Sequence, residues 1–499
     1  ALRRLAFTMT VDNLDAEEKG ALEERLYREE LVEVRGQIKQ VARWDGPLRL
    51  FLDDLAAKVG ILGPHDGEDA EWKFWHRTFK EALTAEHLAS LSDDELLEQV
   101  AGLAGQESRW AEPYALVTGQ VDEPDALVRK LVAVNRPLGL RALATAQGVS
   151  DATFDEVLEL TDALKERAKV LERLPTTVGD AERALKLIDR LRQRTRDGFD
   201  LFWLHLAADR VAEMDSDYAE SVRDLQGRFF EHIPAPDPEL FQSFQTADGE
   251  TKPLWCEIPA GRYWVGSLES EPGRDDNEVR HQVDIRHPYR IAAITVTNRQ
   301  YAAFDPELAP NSFKGVSNDD LFDHPRVGVS WCDAVSFCRW LSTVKGLEDV
   351  RLPWDPEWAV ACRARTETAY WSGNSKAHLD RLGWFQENSG GRTHRVAETP
   401  ANEFELYDAH GNVLEWLLDP FGYQGSPMRA WPAVQRVDPS APPDDLAGPS
   451  RSRLARGGSF ADPTEWVRSA WGAYAAPWER SLVKGFRVVL PLPPADGRS

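Results

Sequence analysis

The stretch RGGSFADPTEWVRSAWGAYAAPWERSLVKGFRVV, residues 456–489, decides the fold of the C-terminal half of the chain. A Gly-Gly turn stands at one end, and GFRVV has the composition of a strand at the other. Four large aromatic residues lie between these ends: Trp466, Trp471, Tyr474 and Trp478. Their position predicts either a contact surface or, alternatively, part of the core of this domain.

Five further motifs precede this stretch in the sequence. They are IPAGRYWVGS (258–267), ITVTNRQYAAF (294–304), HPRVGVSW (324–331), RLPWDPEW (351–358) and GNVLEW (411–416). With RGGSF and GFRVV they resemble, in order, the domain of the formylglycine-generating enzymes, a variant of the C-type lectin fold. The resemblance implies an α+β fold with such a domain at residues 253–492. The same domain type occurs in ergothioneine-type iron enzymes and in the ligand-binding variable proteins of diversity-generating retroelements.

The N-terminal half has helical periodicity instead. Apolar residues recur at helical intervals from Asp15 to Val41 and again after Ser150, and Ser92 and Glu95 have the spacing of a capping box. These patterns predict an α-helical domain over residues 1–233. Alternating prolines then predict an extended connector over residues 234–252. Three histidines spaced by eleven residues, His65, His76 and His87, are too far apart on a helix to share one metal ion.

Composition and charge argue against several kinds of partner and location. The 499 residues carry a formal net charge of -24, which disfavours a nucleic-acid partner. No apolar run is long enough for a membrane-spanning helix or an export signal, so we expect a cytoplasmic protein. Four cysteines in so long a chain do not form a disulfide framework, and their apolar surroundings predict buried small side chains.

The resemblance implies a test for catalysis. Formylglycine generation in that family uses a cysteine pair soon after the Gly-Gly-Ser turn, where this chain has Ala461, Asp462 and Pro463 and has no cysteine after Cys362. The ergothioneine-type enzymes use a His-x-x-x-His pair, which residues 1–235 lack. We therefore expect neither copper nor iron. A metal-dependent oxidoreductase with a diverged site is the alternative.

Recognition of a protein or other macromolecular ligand is the function that the pattern favours. Retroelement variable proteins keep a scaffold in this segment and vary the positions between. The chain has the scaffold residues Arg456, Gly457, Gly458, Ser459, Val467, Arg468, Ser469, Ala470, Pro477, Arg480, Gly485, Phe486 and Arg487. The predicted ligand-binding residues are Ala461, Asp462, Trp466, Trp471, Ala473, Tyr474, Ala476, Trp478, Ser481, Leu482 and Lys484.

A calcium site is a second prediction for this half. Asp408 and Glu415 flank a turn whose carbonyl groups at Gly411 and Val413 could join the two carboxylates in an oxygen-rich shell. The formylglycine-generating enzymes bind calcium at a matching segment. The alternative is a turn that is satisfied by its own hydrogen bonds, with Asn412 as a polar hinge.

Overall fold

A computed structural model describes residues 181–420 with small gaps between 309 and 315, residues 434–437 and 452–492, and shorter stretches between residues 16 and 175. The chain divides into two compact units. One comprises residues 1–191 and 206–226, and the other comprises residues 192–205 and 227–499. The predicted boundary between residues 233 and 234 is not tested by this division, and the predicted connector falls within the second unit.

Helices make up most of what the structure describes before residue 230. They are α1 (Arg77–Leu88), α2 (Glu107–Thr118), α3 (Pro124–Val134), α4 (Asp151–Glu159), α5 (Ala181–Arg192), α6 (Gly198–Met214) and α7 (Ala219–Gly227). Ala85, Leu88, Trp110, Tyr114 and Leu131 belong to a core shared by the first three helices. The predicted capping box is confirmed, because Ser92 N donates to Glu95 Oε2 at 2.9 Å.

Three short strands depart from the predicted all-helical half: β1 (Ala16–Glu18), β2 (Leu62–Pro64) and β3 (Glu71–Phe74) form an antiparallel sheet in the order β1-β3-β2. The helix predicted from Asp15 is therefore wrong at residues 16–18, where pairing with β3 replaces the helical hydrogen bonds. The rest of that helix, His65 and His76 lie outside the described residues, and His87 belongs to α1.

The second unit combines short strands with buried helices. After a 3-10 turn at Pro238–Phe241 its strands are β4 (Ser243–Gln245), β5 (Thr251–Pro253), β6 (Trp255–Ile258), β7 (Gly261–Val265), β8 (His281–Ile285), β9 (Tyr289–Ala292), β10 (Leu414–Pro420), β11 (Val434–Val437), β12 (Arg453–Arg456), β13 (Gly472–Ala475), β14 (Lys484–Gly485) and β15 (Val489–Pro491). Its further helices are α8 (Asn298–Ala302), α9 (Asn318–Leu321), α10 (Trp331–Leu341), α11 (Asp355–Arg363) and α12 (Lys376–Leu379). The result is the predicted mixture of helix and sheet.

The sheet that positions the C-terminal segment has the order β13-β12-β10-β14. Its β12–β13 and β12–β10 pairs are antiparallel, and β14 joins β10 in parallel. A second sheet, β15-β9-β6, contains the strand that follows GFR, and a third has the order β11-β8-β7. The quoted stretch therefore enters one sheet through β12, returns through β13 and β14, and ends in another sheet through β15.

The helix α10 lies in the core of this unit. Ser330 caps it as predicted, since Ser330 Oγ and Asp333 Oδ2 are 2.7 Å apart and Asp333 N donates back to Ser330 Oγ. The sequence predicts one apolar face, whereas ten of its eleven residues are buried. Phe337 stacks parallel to Tyr301 and packs edge-on against Phe486. The buried polar residues of this helix have partners of their own, since Asp333 binds Ser330 and Arg480 and Ser336 Oγ donates to the Gly198 carbonyl.

No helix in the described part of the chain is long and apolar enough to cross a bilayer.

Candidate recognition surface

The scaffold residues of the segment 456–487 are almost all buried. All but Arg480 are buried, and Arg480 is partly exposed. Gly458 shows why the turn requires glycine: its φ is +69°, and a Cβ there would lie 2.7 Å from the Trp466 carbonyl oxygen. A Cβ at Gly485 would lie 2.6 Å from the Arg326 carbonyl oxygen. These positions fix the path of the backbone between the accessible residues.

Buried ion pairs hold the scaffold arginines. Arg487 and Glu415 are both fully buried and form two hydrogen bonds of 2.6 Å. Arg468 binds Glu271 and both oxygens of Glu278 at 2.7 Å each. Burial alone would lower the pKa of a guanidinium, but the adjacent carboxylates outweigh this effect and raise the pKa of both arginines. The arginines are therefore charged tethers between distant parts of the chain.

Two more scaffold arginines are anchored in the same way. Arg456 pairs with Asp355 through two nitrogen–oxygen contacts of 2.6 and 2.9 Å. Arg480 makes contacts of 2.7–2.8 Å with both oxygens of Asp333 and also binds Asp197. Each pair ties one point of the C-terminal segment to a different element.

The predicted ligand-binding positions lie between these tethers, and most of them reach solvent. Trp466, Tyr474 and Leu482 expose 47%, 52% and 50% of their surface, which is unusual for large apolar side chains. Ala461 is exposed as well. Asp462, Trp471, Ala473, Ala476, Trp478 and Ser481 are partly exposed. We call these ten residues the recognition surface.

Lys484 is the exception among the predicted residues. Its side chain is buried, pairs with Glu479, and lies with Nζ 5.4 Å from the ring centroid of Trp416. The reason is the short strand β14, which pairs in parallel with Leu414 and Glu415 of β10 and turns this residue inward. Lys484 is therefore buried, unlike the other predicted residues, and its assignment to ligand binding stays a prediction.

The tryptophans divide between the two predicted environments. Trp466 and Trp471 stack with ring centroids 5.3 Å apart and nearly parallel planes. Trp466 stands outermost, at the end of a 3-10 turn, and Trp471 is half-buried beneath it. Trp478 is also half-buried. Of the three tryptophans, Trp466 is the exposed one, and Trp471 packs against its ring.

Two contacts lie next to the surface. Lys376 Nζ lies 2.8 Å from Thr464 Oγ1 and pairs with Glu465, although it is 88 residues upstream of Thr464. Asp462, which the sequence assigns to ligand binding, also accepts hydrogen bonds from Ser459 N and Ser459 Oγ at 2.8 and 2.7 Å. The contacts of Lys376 join distant residues and have no signal in the sequence pattern, whereas Ser459 and Asp462 are three positions apart and form a local pair.

The predicted calcium residues are all buried, and one of them, Glu415, pairs with Arg487. Glu415 is the counter-ion of Arg487 and also accepts from Trp358 Nε1 at 2.6 Å. Asp408 accepts from Ala397 N at 2.8 Å, and the Gly411 carbonyl accepts from Val413 N at 2.8 Å. This differs from the predicted shell because both carboxylates already have protein donors. Calcium binding by Asp408, Gly411, Val413 and Glu415 stays a prediction.

Asp408 provides a test of that prediction. Burial raises the pKa of Asp408 to about 6, above its value in an unfolded chain, so the charged carboxylate lowers stability as the pH rises through this range. Asp408→Asn removes the charge, and asparagine tolerates the local φ of +53°. We expect urea unfolding near neutral pH to show a gain of up to ~3 kcal/mol, which shrinks toward ~0 near pH 4.

The same variant distinguishes the two interpretations of the turn. With calcium present, a turn satisfied by its own hydrogen bonds keeps the gain from Asp408→Asn. If a calcium ion used this carboxylate, the variant would lose stability in calcium and show no such loss after chelation.

Comparison with known proteins identifies the fold of the second unit. A family model described as the sulfatase-modifying factor enzyme 1-like domain (FGE-sulfatase) matches residues 241–492, half of the chain. The chain belongs to this family. The seven ordered motifs of the sequence therefore predict the domain correctly.

Several curated proteins are similar to the chain in sequence. The chain is 25% identical over 304 residues to the serine/threonine-protein kinase pkn1 of Chlamydia caviae, covering 56% of this chain and 44% of that protein. It is 27% identical over 259 residues to the formylglycine-generating enzyme of Thermomonospora curvata, covering 41% and 81%. It is also 23% identical over 240 residues to the inactive C-alpha-formylglycine-generating enzyme 2 of Mus musculus, covering 37% and 75%. The chain spans 44% and 36% of the length of the Chlamydia caviae and Chlamydia pneumoniae kinases that it matches.

Solved structures are similar to about half of the chain. Treponema denticola variable protein 1 is 21% identical with a TM-score of 0.39, and the match covers 50% of this chain and 98% of that one. PvdO from Pseudomonas aeruginosa is 23% identical with a TM-score of 0.40, with the same coverage.

The residues of this FGE-sulfatase domain do not fit a copper–thiolate centre. Its cysteines, Cys256, Cys332, Cys338 and Cys362, are all free and buried, as the sequence predicts. Burial raises the pKa of each thiol, to about 12 for Cys256 and Cys362, so each stays protonated near neutral pH. After the Gly-Gly-Ser turn the chain presents Ala461 and an Asp462 that is bound to Ser459. These groups cannot supply a thiolate pair.

Proposed function

We propose that this chain recognises a protein or other macromolecular ligand through the recognition surface and does no chemistry on it. The observation that carries the proposal is the division of the segment 456–487. Large apolar side chains stand exposed on it, while the scaffold residues other than Arg480 are buried. Isolated surface apolar residues are common, but a group of them on one rigid segment is typical of an interaction site.

The aromatic side chains of the recognition surface are suited to binding a ligand. A tryptophan or tyrosine offers a large contact area with only two side-chain torsions to order, so it loses little entropy when a ligand is bound. Trp471 already holds Trp466 in a stacked arrangement, which further limits the freedom of the outer ring. A surface that is ordered before binding pays less entropy on association. Trp466 is therefore the residue that we expect to be the anchor of the interface.

The backbone behind the recognition surface is held in place by the ion pairs of the scaffold arginines. The tethers from Arg456, Arg468, Arg480 and Arg487 reach four separate carboxylate partners or groups of partners. A substitution at an accessible position leaves these tethers intact. The segment could therefore vary its contact residues without losing its backbone path, which supports a role in recognition.

Catalysis of the formylglycine type gives the first test. Because no accessible thiolate follows the Gly-Gly-Ser turn, the purified chain supplied with copper and a sulfatase-type cysteine peptide should form no aldehyde by mass spectrometry. The Thermomonospora curvata enzyme serves as the positive control. An aldehyde product from this chain at a rate comparable with the control would overturn the proposal.

A metal-dependent oxidoreductase is the second candidate, because the match covers 81% of a formylglycine-generating enzyme. It requires a metal site made from residues other than the cysteines. Within the described residues no group of three or more histidine, cysteine or acidic side chains is placed to hold a metal ion. Metal analysis of the purified chain separates the candidates, since one tightly bound iron or copper per chain would favour the oxidoreductase. A cytoplasmic location and the exclusion of nucleic acid stay predictions.

A further inference from the structure

A concave site lies within the second unit, between β7 and the end of α11. It is a groove of about 410 Å³. Its lining includes Arg262, Tyr263 and Trp264 from β7 and Arg363, Arg365 and Glu367 from the end of α11 and the residues after it. None of these residues belongs to the recognition surface. Its volume falls within the range of ~300–1,000 Å³ that is usual for small-molecule sites.

The charges that line this groove are predominantly positive. Three arginines line it, and the acidic residue Glu367 is already paired with Arg280, whose guanidinium also lies 4.2 Å from the ring centroid of Trp264. Among the described residues, no carboxylate lies within ion-pair distance of Arg262, Arg363 or Arg365. In a chain with 83 acidic and 59 basic residues, three arginines that line one groove and have no acidic partner among the described residues are unexpected.

The environment of Arg363 is the main evidence for a ligand in this groove. Its side chain is buried and donates to the carbonyls of Thr368, at 3.0 Å, and Gly266, while its buried Nε has no hydrogen-bond partner in the structure. The carboxylates that act on it through space, Glu271 and Glu278, are both bound to Arg468. A buried cation with only neutral partners is costly, so an anion in the groove would stabilise it.

The backbone brings Arg365 to the same place. Helix α11 ends in two consecutive non-glycine residues with left-handed conformations, Ala364 at φ +44° and Arg365 at φ +74°. The turn exposes Arg365, whose guanidinium lies 5.2 Å from the ring centroid of Phe404. Left-handed conformations of ordinary residues cost free energy, so the surrounding structure holds this turn in place.

We propose that this groove binds a small-molecule oxyanion, either a carboxylate or a phosphate. The guanidinium groups of Arg262 and Arg365 provide forked donors that match the two or more oxygens of such a group. The positive charge of Arg363 lies behind them, and Tyr263 and Trp264 offer aromatic surface to an organic substituent on the anion. The site is independent of the recognition surface and of its proposed function.

Titration calorimetry of the full chain tests the proposal with phenyl phosphate, benzoate and inorganic phosphate as probes. We expect saturable binding of at least one of them, and the preference between phenyl phosphate and benzoate shows which oxyanion the groove takes. Arg365→Asn should weaken binding about tenfold, since a hydrogen bond to a charged group is lost. Asparagine keeps the left-handed backbone. Arg262→Gln should act in the same direction.

Arg381→Gln is the matched control, because Arg381 is also exposed but does not line the groove. It should leave the affinity unchanged, and all three variants should keep the melting temperature of the parent. The proposal is wrong if none of the probes binds, or if Arg365→Asn and Arg381→Gln bind every probe as tightly as the parent chain.

Discussion

Replacing Arg487 with methionine is expected to lower the free energy of unfolding by about 3–5 kcal/mol. Arg487 and Glu415 are completely buried, and Glu415 would lose both short hydrogen bonds to the guanidinium. The carbonyls of Ala292 and Tyr407 would each lose a donor as well. Urea unfolding of the full chain, followed by tryptophan fluorescence, measures the loss.

Two further variants separate charge from packing. Arg381→Met removes an exposed arginine and should change stability by no more than ~0.5 kcal/mol. The double variant Arg487→Met/Glu415→Leu removes both charges and should recover a large part of the loss, because no buried carboxylate is left unpaired. If the single variant is as stable as the parent, Arg487 is not the tether that holds the end of the segment.

Replacing each of two tryptophans with alanine should give an equally large difference in the free energy of unfolding. Trp416 of β10 is fully buried, and its Nε1 donates to the Val329 carbonyl at 3.1 Å, so Trp416→Ala should cost about 3–5 kcal/mol. Trp466 is exposed and packs mainly on one ring face, so Trp466→Ala should cost no more than ~1 kcal/mol. Thermal unfolding of both variants measures the difference.

This comparison decides between surface and core before any ligand is known. Nearly equal losses for Trp466→Ala and Trp416→Ala would place Trp466 in the core and remove the proposed anchor. Trp471→Ala should lie between the two, because Trp471 is half-buried beneath Trp466.

The sequence predicts the local features of the segment well. The Gly-Gly turn and the closing strand depend on neighbouring residues and on strand periodicity, so they can be read from a short stretch. The cap at Ser330 and the capping box at Ser92 depend on residues three positions apart, and both are present. Local hydrogen bonds leave a local signature.

The features that sequence reasoning missed depend on distant partners. Arg468 meets Glu278 across 190 positions, and no spacing rule connects them. Lysine is usually a surface residue, but the pairing of β14 with β10 turns the side chain of Lys484 inward. The calcium prediction joined Asp408 and Glu415 in one shell, but it could not include Arg487, which pairs with Glu415 from 72 residues away. In each case tertiary pairing decides the environment of a charged side chain.

The central claim is that the chain binds a macromolecular partner through the recognition surface, and site-specific photo-cross-linking in native cells tests it most directly. A photoreactive residue at Tyr474 should give a discrete cross-linked product, and Trp466→Ala in the same chain should abolish it. The same residue at Glu257, an exposed position on β6, should give no such product. Absence of any product from Tyr474, or the same product from Glu257 and from the Trp466→Ala chain, would contradict the claim.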